Sequence, residues 1–300
     1  MDFIYQYPDK HGADGDMLDA GSIVDIARSL DDHGWHGLAF TEHPAPGSRW
    51  LDAGGHQSLD PFVALGHAAA VTERIKLLTY LAVVPYRNPL LLAKTAATVD
   101  LLSNGRFVLG VGTGYLKGEF RALGVDFDER NRAFDEALDV MQLHWSGQPF
   151  DYEGSTFSAR SIQARPSPVQ QPIPIWIGGN AKITRRRVAE KAQGWMPLHG
   201  SPELLQTTRT PSVGSIEELG AKIAEVRDQA GDRAAELDFV YLYVSDDFTA
   251  DPTTSVEVHR DAIGRYEDIG VTNLVFLGPQ GLSPAAGLEW IQAVGETYLG

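Results

Sequence analysis

The chain contains no cysteine. That excludes disulfides, thiolate metal sites and a cysteine nucleophile, and it suits a reducing cytoplasm. Positive charge is also scarce: Lys and Arg number 25 against 40 Asp and Glu, a formal net charge of −15. So acidic a surface repels nucleic acid and anionic membranes, because phosphate recognition rests on Lys and Arg. No apolar run reaches the ~18 residues that a bilayer span needs. The opening MDFIYQYPDK lacks the basic and apolar regions of a signal peptide. None of the nine histidines falls in HExxH or a comparable paired spacing. His33 and His36 straddle Gly34, and His67 lies in an apolar helical stretch. No serine occupies a G-x-S-x-G elbow. The expectation is a cytoplasmic protein with a small-molecule partner, and no metal, nucleic acid or membrane.

What the chain does have is a rhythm. Its 300 residues suffice for one large α/β barrel or two modest domains. Strand-like runs occur at 3–7, 37–41, 75–84, 107–111, 175–177, from 195, 237–244 and 274–277. Helical patterns fall between them, at 22–34, 61–71, 89–102, 130–145, 181–192, 216–230, 256–269 and 284–298. Ser22 and Asp60 are set as helix caps, and Pro61 stands at a first helical position. Residues 150–157, FDYEGSTF, read as a small hairpin, so an insertion near 146–174 interrupts the repeat. About eight strand-then-helix units on this length predict a single (β/α)₈ TIM barrel, residues 1–300 forming one domain. The competitor is a doubly wound sheet with a second domain.

Parallel barrels carry chemistry at the C-terminal ends of their strands. At the end of the second strand, GLAFTEHPAP places Glu42 and His43 ahead of Pro44 and Pro46. The prolines fix the backbone, and His43 can change protonation near neutral pH. The bland alternative is a helix-capping acid and a histidine bound to loop carbonyls. The loop 44–55 over the same mouth carries Arg49, Trp50 and, just beyond it, His56. Gly112, Thr113 and Gly114 follow the fourth strand, where glycine lets backbone approach a flat ring or a phosphate, or simply packs a turn. The run IWIGGNAKITRRRVAEKA sets Gly178, Gly179 and Asn180 between a strand and a helix, an arrangement suited to an anion. Asn180 is equally a helix N-cap. Lys182, Arg185, Arg186 and Arg187 crowd the first turns and suggest an anionic ligand touched by at most one or two of them; the alternative is a solvated helix face pairing with Glu190 or other acids.

These blocks resemble the bacterial-luciferase-like superfamily of flavin and deazaflavin oxidoreductases, specifically its actinobacterial F420-dependent type. The resemblance is carried by GLAFTEHPAP, LAVVPYRNPLLLAKTAATVDLLSNGRFVLGVGTGY, DEALDVMQLHWSGQPFDYEGSTFS and PIPIWIGGNAKITRRRVAEKAQGWMPL. It implies a TIM barrel with the ring of coenzyme F420, or alternatively FMN, in the mouth. It also implies a non-proline cis peptide near Thr79-Tyr80-Leu81, behind the ring. Glu42 and His43 would lie beside the ring, with Thr79, Tyr80, Gly112, Thr113 and Gly114 against the cofactor. Gly178, Gly179 and Asn180 would hold its phosphate. One departure stands out. Some F420-dependent sugar-phosphate dehydrogenases carry a glutamate directly after Gly-Thr-Gly, where this chain has Tyr115.

The expected function is hydride transfer between F420 and a small organic substrate. His43 acts at the reacting centre with Glu42 tuning it, and Trp50, Tyr115 and His199 line the substrate side. The alternatives are an FMN-dependent monooxygenase and a non-catalytic flavin-binding protein. The resemblance also implies a homodimer.

Overall fold

The computed structural model describes residues 1–9, 15–200, 208 and 210–300. In chain order the strands are β1 (Asp2–Gln6), β2 (Gly37–Phe40), β3 (Lys76–Thr79), β4 (Ala82–Val83), β5 (Phe107–Gly112), β6 (Phe150–Glu153), β7 (Ser158–Ile162), β8 (Ile175–Gly178), β9 (Gly194–Met196), β10 (Asp238–Tyr243) and β11 (Asn273–Leu277). Strands β1, β2, β3, β5, β8, β9, β10 and β11 pair in that order, all parallel. β11 returns to β1, so the ring closes with eight strands. The (β/α)₈ barrel is therefore the fold. Short β4 continues β3 and pairs with β5 at the rim.

Each barrel strand sends one residue into a common interior layer: Ile4, Ala39, Leu78, Val108, Trp176, Met196, Val240 and Val275. Their neighbours along each strand face the helices and join the larger outer core. A strand buried on both faces must be apolar throughout, which is why these segments read as continuous hydrophobic runs. Helix starts follow local chemistry. Ser22, Asp60, Asn88, Ser215 and Ser283 each accept a first-turn N–H, and Pro61, Pro89 and Pro284 open their helices.

Three local features differ from the sequence pattern. The single strand expected at 75–84 is two segments, separated by a cis peptide between Tyr80 and Leu81. The hairpin expected at 150–157 extends to Ile162 as β6 and β7. Glu136, on the helix Arg130–Trp145, pins its turn by accepting the N–H groups of Ser155, Thr156 and Phe157. Loops at the mouth contain short helices, Ser48–Asp52, Lys117–Ala122 and Asp246–Ala250. One turn or so is too short to show a helical period in sequence.

Candidate active site at the barrel mouth

The floor of the mouth is apolar. Tyr80, Leu81 and Leu242 lie on the interior layer. Leu81 rests across β5 and β8. A Cβ at Gly112 would fall 2.6 Å from Leu81 Cδ1, and one at Gly178 would overlap the same side chain. Gly114 has φ +75°, and a Cβ there would lie 2.6 Å from Val83 Cγ1. These three glycines are thus required by packing, while Gly114 and Gly178 still keep partly open backbone at the mouth. Thr79 is fully buried, and its hydroxyl donates to the Gly110 carbonyl at 2.7 Å, inside the barrel wall. Tyr80 and Thr113 remain half-buried at the rim.

Glu42 and His43 leave β2 with opposite destinations, as successive residues of an extended chain do. The Glu42 carboxylate accepts the Val83 N–H at 2.7 Å and pairs with the Arg87 guanidinium, which also reaches Asp60. It ties the end of β2 to β4. His43 turns instead toward Glu119, whose Oε2 lies 3.2 Å from Nδ1. Glu42 is expected to tune His43; the carboxylate in that position is Glu119. No spacing rule announces it, because Glu119 arrives on a one-turn helix after β5.

Glu119 is sealed from solvent. It also accepts the Tyr86 hydroxyl at 2.8 Å and the Ala45 N–H at 3.1 Å. Burial alone would raise its pKa. The bonds from His43, Tyr86 and Ala45 outweigh that and hold it below the ordinary glutamate value. An ionised carboxylate can only accept, so His43 Nδ1 carries the hydrogen, and in the neutral ring Nε2 is the acceptor. The Tyr115 hydroxyl lies 3.5 Å from that Nε2. Burial, then the negative Glu119, push the Tyr115 and Tyr86 phenols up, so both stay protonated at neutral pH. Carboxylate, imidazole and phenol thus stand in series. Trp50, on the helix Ser48–Asp52, packs on the His43 ring at 4.5 Å between centroids, and His56 meets it edge-on at 4.9 Å. Arg49 is exposed beside them.

Two expected residues are placed differently. His199 Nδ1 lies 2.9 Å from the hydroxyl of Tyr241, a β10 residue that faces the outer core. Burial lowers the His199 pKa and pushes the Tyr241 phenol up to about 12. Asn180 is fully buried and does not cap its helix. Its side chain donates to the Leu198 and Pro211 carbonyls at 2.9 and 2.8 Å and accepts the Leu198 N–H at 2.7 Å. The helix Lys182–Lys191 begins after Ala181 with no side-chain cap, behind Gly179 at φ +112°.

Most of the cationic cluster is spent on structure. Arg185 binds the Asn180 carbonyl at 2.6 Å and Glu225 at 3.0 Å. Arg187 forks onto Asp135 at 2.6 and 2.9 Å and reaches Asn131. Arg186 stands 3.9 Å from Glu190. Lys182 is exposed at the first helical position. Among the described residues, no group of three His, Asp or Glu is placed to hold a metal ion, and no helix is long and apolar enough to cross a membrane.

Comparison with known proteins agrees with this architecture. The family described as luciferase-like monooxygenase matches residues 1–241. An uncharacterised protein of Mycobacterium tuberculosis is 30% identical over 263 residues, 83% of this chain and 84% of that one. The F420-dependent glucose-6-phosphate dehydrogenase of Gordonia bronchialis is 29% identical over 238 residues, 76% of this chain and 67% of that one. The FMNH(2)-dependent dimethylsulfone monooxygenase of Pseudomonas putida is 28% identical over 172 residues, 56% of this chain and 44% of that one. Among solved structures, the monooxygenase RslO1 from Streptomyces bottropensis superposes with a TM-score of 0.76 at 19% identity, over 100% of this chain and 99% of that one.

Proposed function

The chain belongs to the luciferase-like monooxygenase family, whose members include F420-dependent and FMN-dependent oxidoreductases, and we propose that it moves hydride between coenzyme F420 and a small organic substrate at the barrel mouth. The observation that carries this reading is the series Glu119–His43–Tyr115, with distances of 3.2 and 3.5 Å, set beside an apolar floor. F420, when bound, supplies the hydride chemistry of its deazaflavin ring.

The residues fit such a ring. Tyr80, Leu81 and Leu242 offer it an apolar platform, and Thr113 and Gly114 border it. The uncapped first turn of Lys182–Lys191 would hold the phosphate through its backbone N–H groups, with Lys182 adding charge. Gly178 and Gly179 shape the turn before it, the Gly179 N–H being donated to the Met196 carbonyl at 3.1 Å. Asn180 and Thr79 serve by fixing that loop and the barrel wall. Glu42 anchors the His43 backbone from behind, through Val83 and Arg87. His43, held by Glu119, orients or protonates the reacting group and shares the proton with Tyr115. Trp50 shapes the substrate side; His199 is held away from it by its bond to Tyr241. General acid–base help of this kind is worth ~10²–10⁴-fold in rate. A homodimer and a cytoplasmic location belong to the same proposal.

A second reading, an FMN-dependent monooxygenase, is supported by the FMNH(2)-dependent relative. A flavin-binding protein without catalysis is disfavoured by the aligned acid, imidazole and phenol. Fluorescence-quenching titration with F420 and with FMN separates the readings. We expect saturable F420 binding that is tighter than FMN binding. Tighter FMN binding transfers the case to the monooxygenase, and binding of neither cofactor ends both.

A further inference from the structure

A second acid and a second histidine meet at the same mouth. Asp9 follows β1 and is buried. Its carboxylate accepts the Gln6 side-chain amide at 2.6 Å and the Thr41 hydroxyl at 2.9 Å, so two strand ends hold it in place. The Gln280 amide donates to its backbone carbonyl. Among the described residues, the ionisable group facing Asp9 is His56, whose Nδ1 lies 3.6 Å from Oδ2 and 3.1 Å from the Gln57 carbonyl. The His56 ring in turn stands edge-on to His43 at 4.9 Å, and Trp50 packs against both imidazoles. The order across the mouth is Asp9, His56, His43, Glu119.

We propose that Asp9 and His56 form a second acid–imidazole pair of this site, which supplies the proton that accompanies hydride transfer, while His43, held by the anionic Glu119, orients the reacting group. The inference rests on the hydride-transfer reading above. When hydride from a reduced deazaflavin or flavin adds to a carbonyl carbon, the C=O π pair moves to oxygen. A proton leaving His56 Nε2 forms the O–H bond, Asp9 passes its own proton to Nδ1, which then donates to the Gln57 carbonyl, and a proton taken from solvent recharges Asp9. In the oxidising direction the same groups take the hydroxyl proton as hydride leaves. His56, about one-fifth exposed at its side chain, meets the substrate; Asp9 acts through it as a positioning residue and proton store. The two acids suit different tasks. Burial, against the bonds from Thr41 and Gln6, raises Asp9 to about 7, whereas Glu119 is held below its ordinary value and stays anionic. Environments that push neighbouring carboxyls apart in this way separate proton carrier from fixed charge.

The test begins with the cofactor-free protein. Infrared difference spectra stepped from about pH 5 to 9, the range in which imidazole also titrates, are expected to show one carboxyl ionising near neutrality. Asp9→Asn removes it. The ¹⁵N signals of His56 move with the same midpoint, and His56→Gln, which leaves the bonds to Gln6 and Thr41 in place, displaces the carboxyl step. With F420 bound and small ketones and secondary alcohols as probes, Asp9→Asn lowers kcat about 10²-fold and flattens its pH profile at unchanged F420 affinity; Asp9→Glu recovers most of it. Absence of a neutral-range carboxyl step, or a wild-type pH profile in Asp9→Asn, overturns the proposal. If no probe turns over, the spectroscopic titration decides alone. Failure to bind either cofactor would sink the hydride-transfer reading by itself, and is distinguishable from a missing carboxyl step.

Discussion

Glu119 Oε2 lies 3.2 Å from His43 Nδ1, across 76 residues of chain. Neither residue could find the other locally. β2 delivers His43 to the rim, and β5 delivers Glu119 through the short helix Lys117–Ala122. The contact exists because β2, β3 and β5 are neighbours in the closed sheet.

Replacing Glu119 by Gln keeps its shape and removes the charge that fixes the His43 tautomer. Turnover with reduced F420 is expected to fall about 10²-fold or more, with F420 affinity little changed, since the carboxylate sits behind the imidazole. Steady-state kcat measured beside the quenching titration checks this. Undiminished kcat would show that His43 works without its acid.

Much of the barrel was legible because two-sided burial leaves a plain mark. Leu38–Phe40 and Phe107–Val111 read as strands, and Asp60-Pro61 reads as a helix start, from local chemistry alone. Pairings across the fold left no such mark. Arg185 and Arg187 look in sequence like a ligand-seeking cluster, yet Glu225 and Asp135 on neighbouring helices claim them. Asn180 has an N-cap's place but is drawn to Leu198 and Pro211. Glu119 and Asp9 carry no spacing signal, since a carboxylate's role here is set by what the closed sheet brings beside it.

The same distinction separates two cations on one helix. Arg187 is buried against Asp135, Asn131 and the Phe134 ring. Arg187→Ala strands those acceptors and should cost about 3 kcal/mol in urea unfolding, without loosening F420. Lys182→Ala is expected to change stability by no more than about 0.5 kcal/mol and to weaken F420 binding, the difference shrinking as salt is added. Reversal of the two phenotypes would put the ligand contact at Arg187.

Gly112 has a single evident competitor for space. Gly112→Ala drives a methyl into Leu81 and should cost about 1–3 kcal/mol, with F420 affinity reduced because the displaced side chain rises into the mouth. Adding Leu81→Ala removes the clash. The double variant should therefore be more stable than the two single losses sum to, by roughly 0.5 kcal/mol or more. Strict additivity in denaturant midpoints would mean that Leu81 does not occupy that place.

Opposite pKa shifts give Glu119 and Asp9 opposite signatures in stability. Glu119 is lowered from 4.5, so its contribution is complete above that pH and lost as pH falls through its folded value. Asp9 is raised from 3.8 to about 7, so the folded state keeps a proton that the unfolded chain has released. Stability from this group is present below 3.8 and declines as pH rises toward about 7. Urea midpoints across this range should show Glu119→Gln with a flattened acid limb. Asp9→Asn should lose the decline toward neutrality and gain on the wild type as pH rises. A constant offset of Asp9→Asn at every pH would show that Asp9 titrates in the folded protein as it does in the unfolded chain, and would leave the mouth with two anions near neutrality where the proton chemistry requires one.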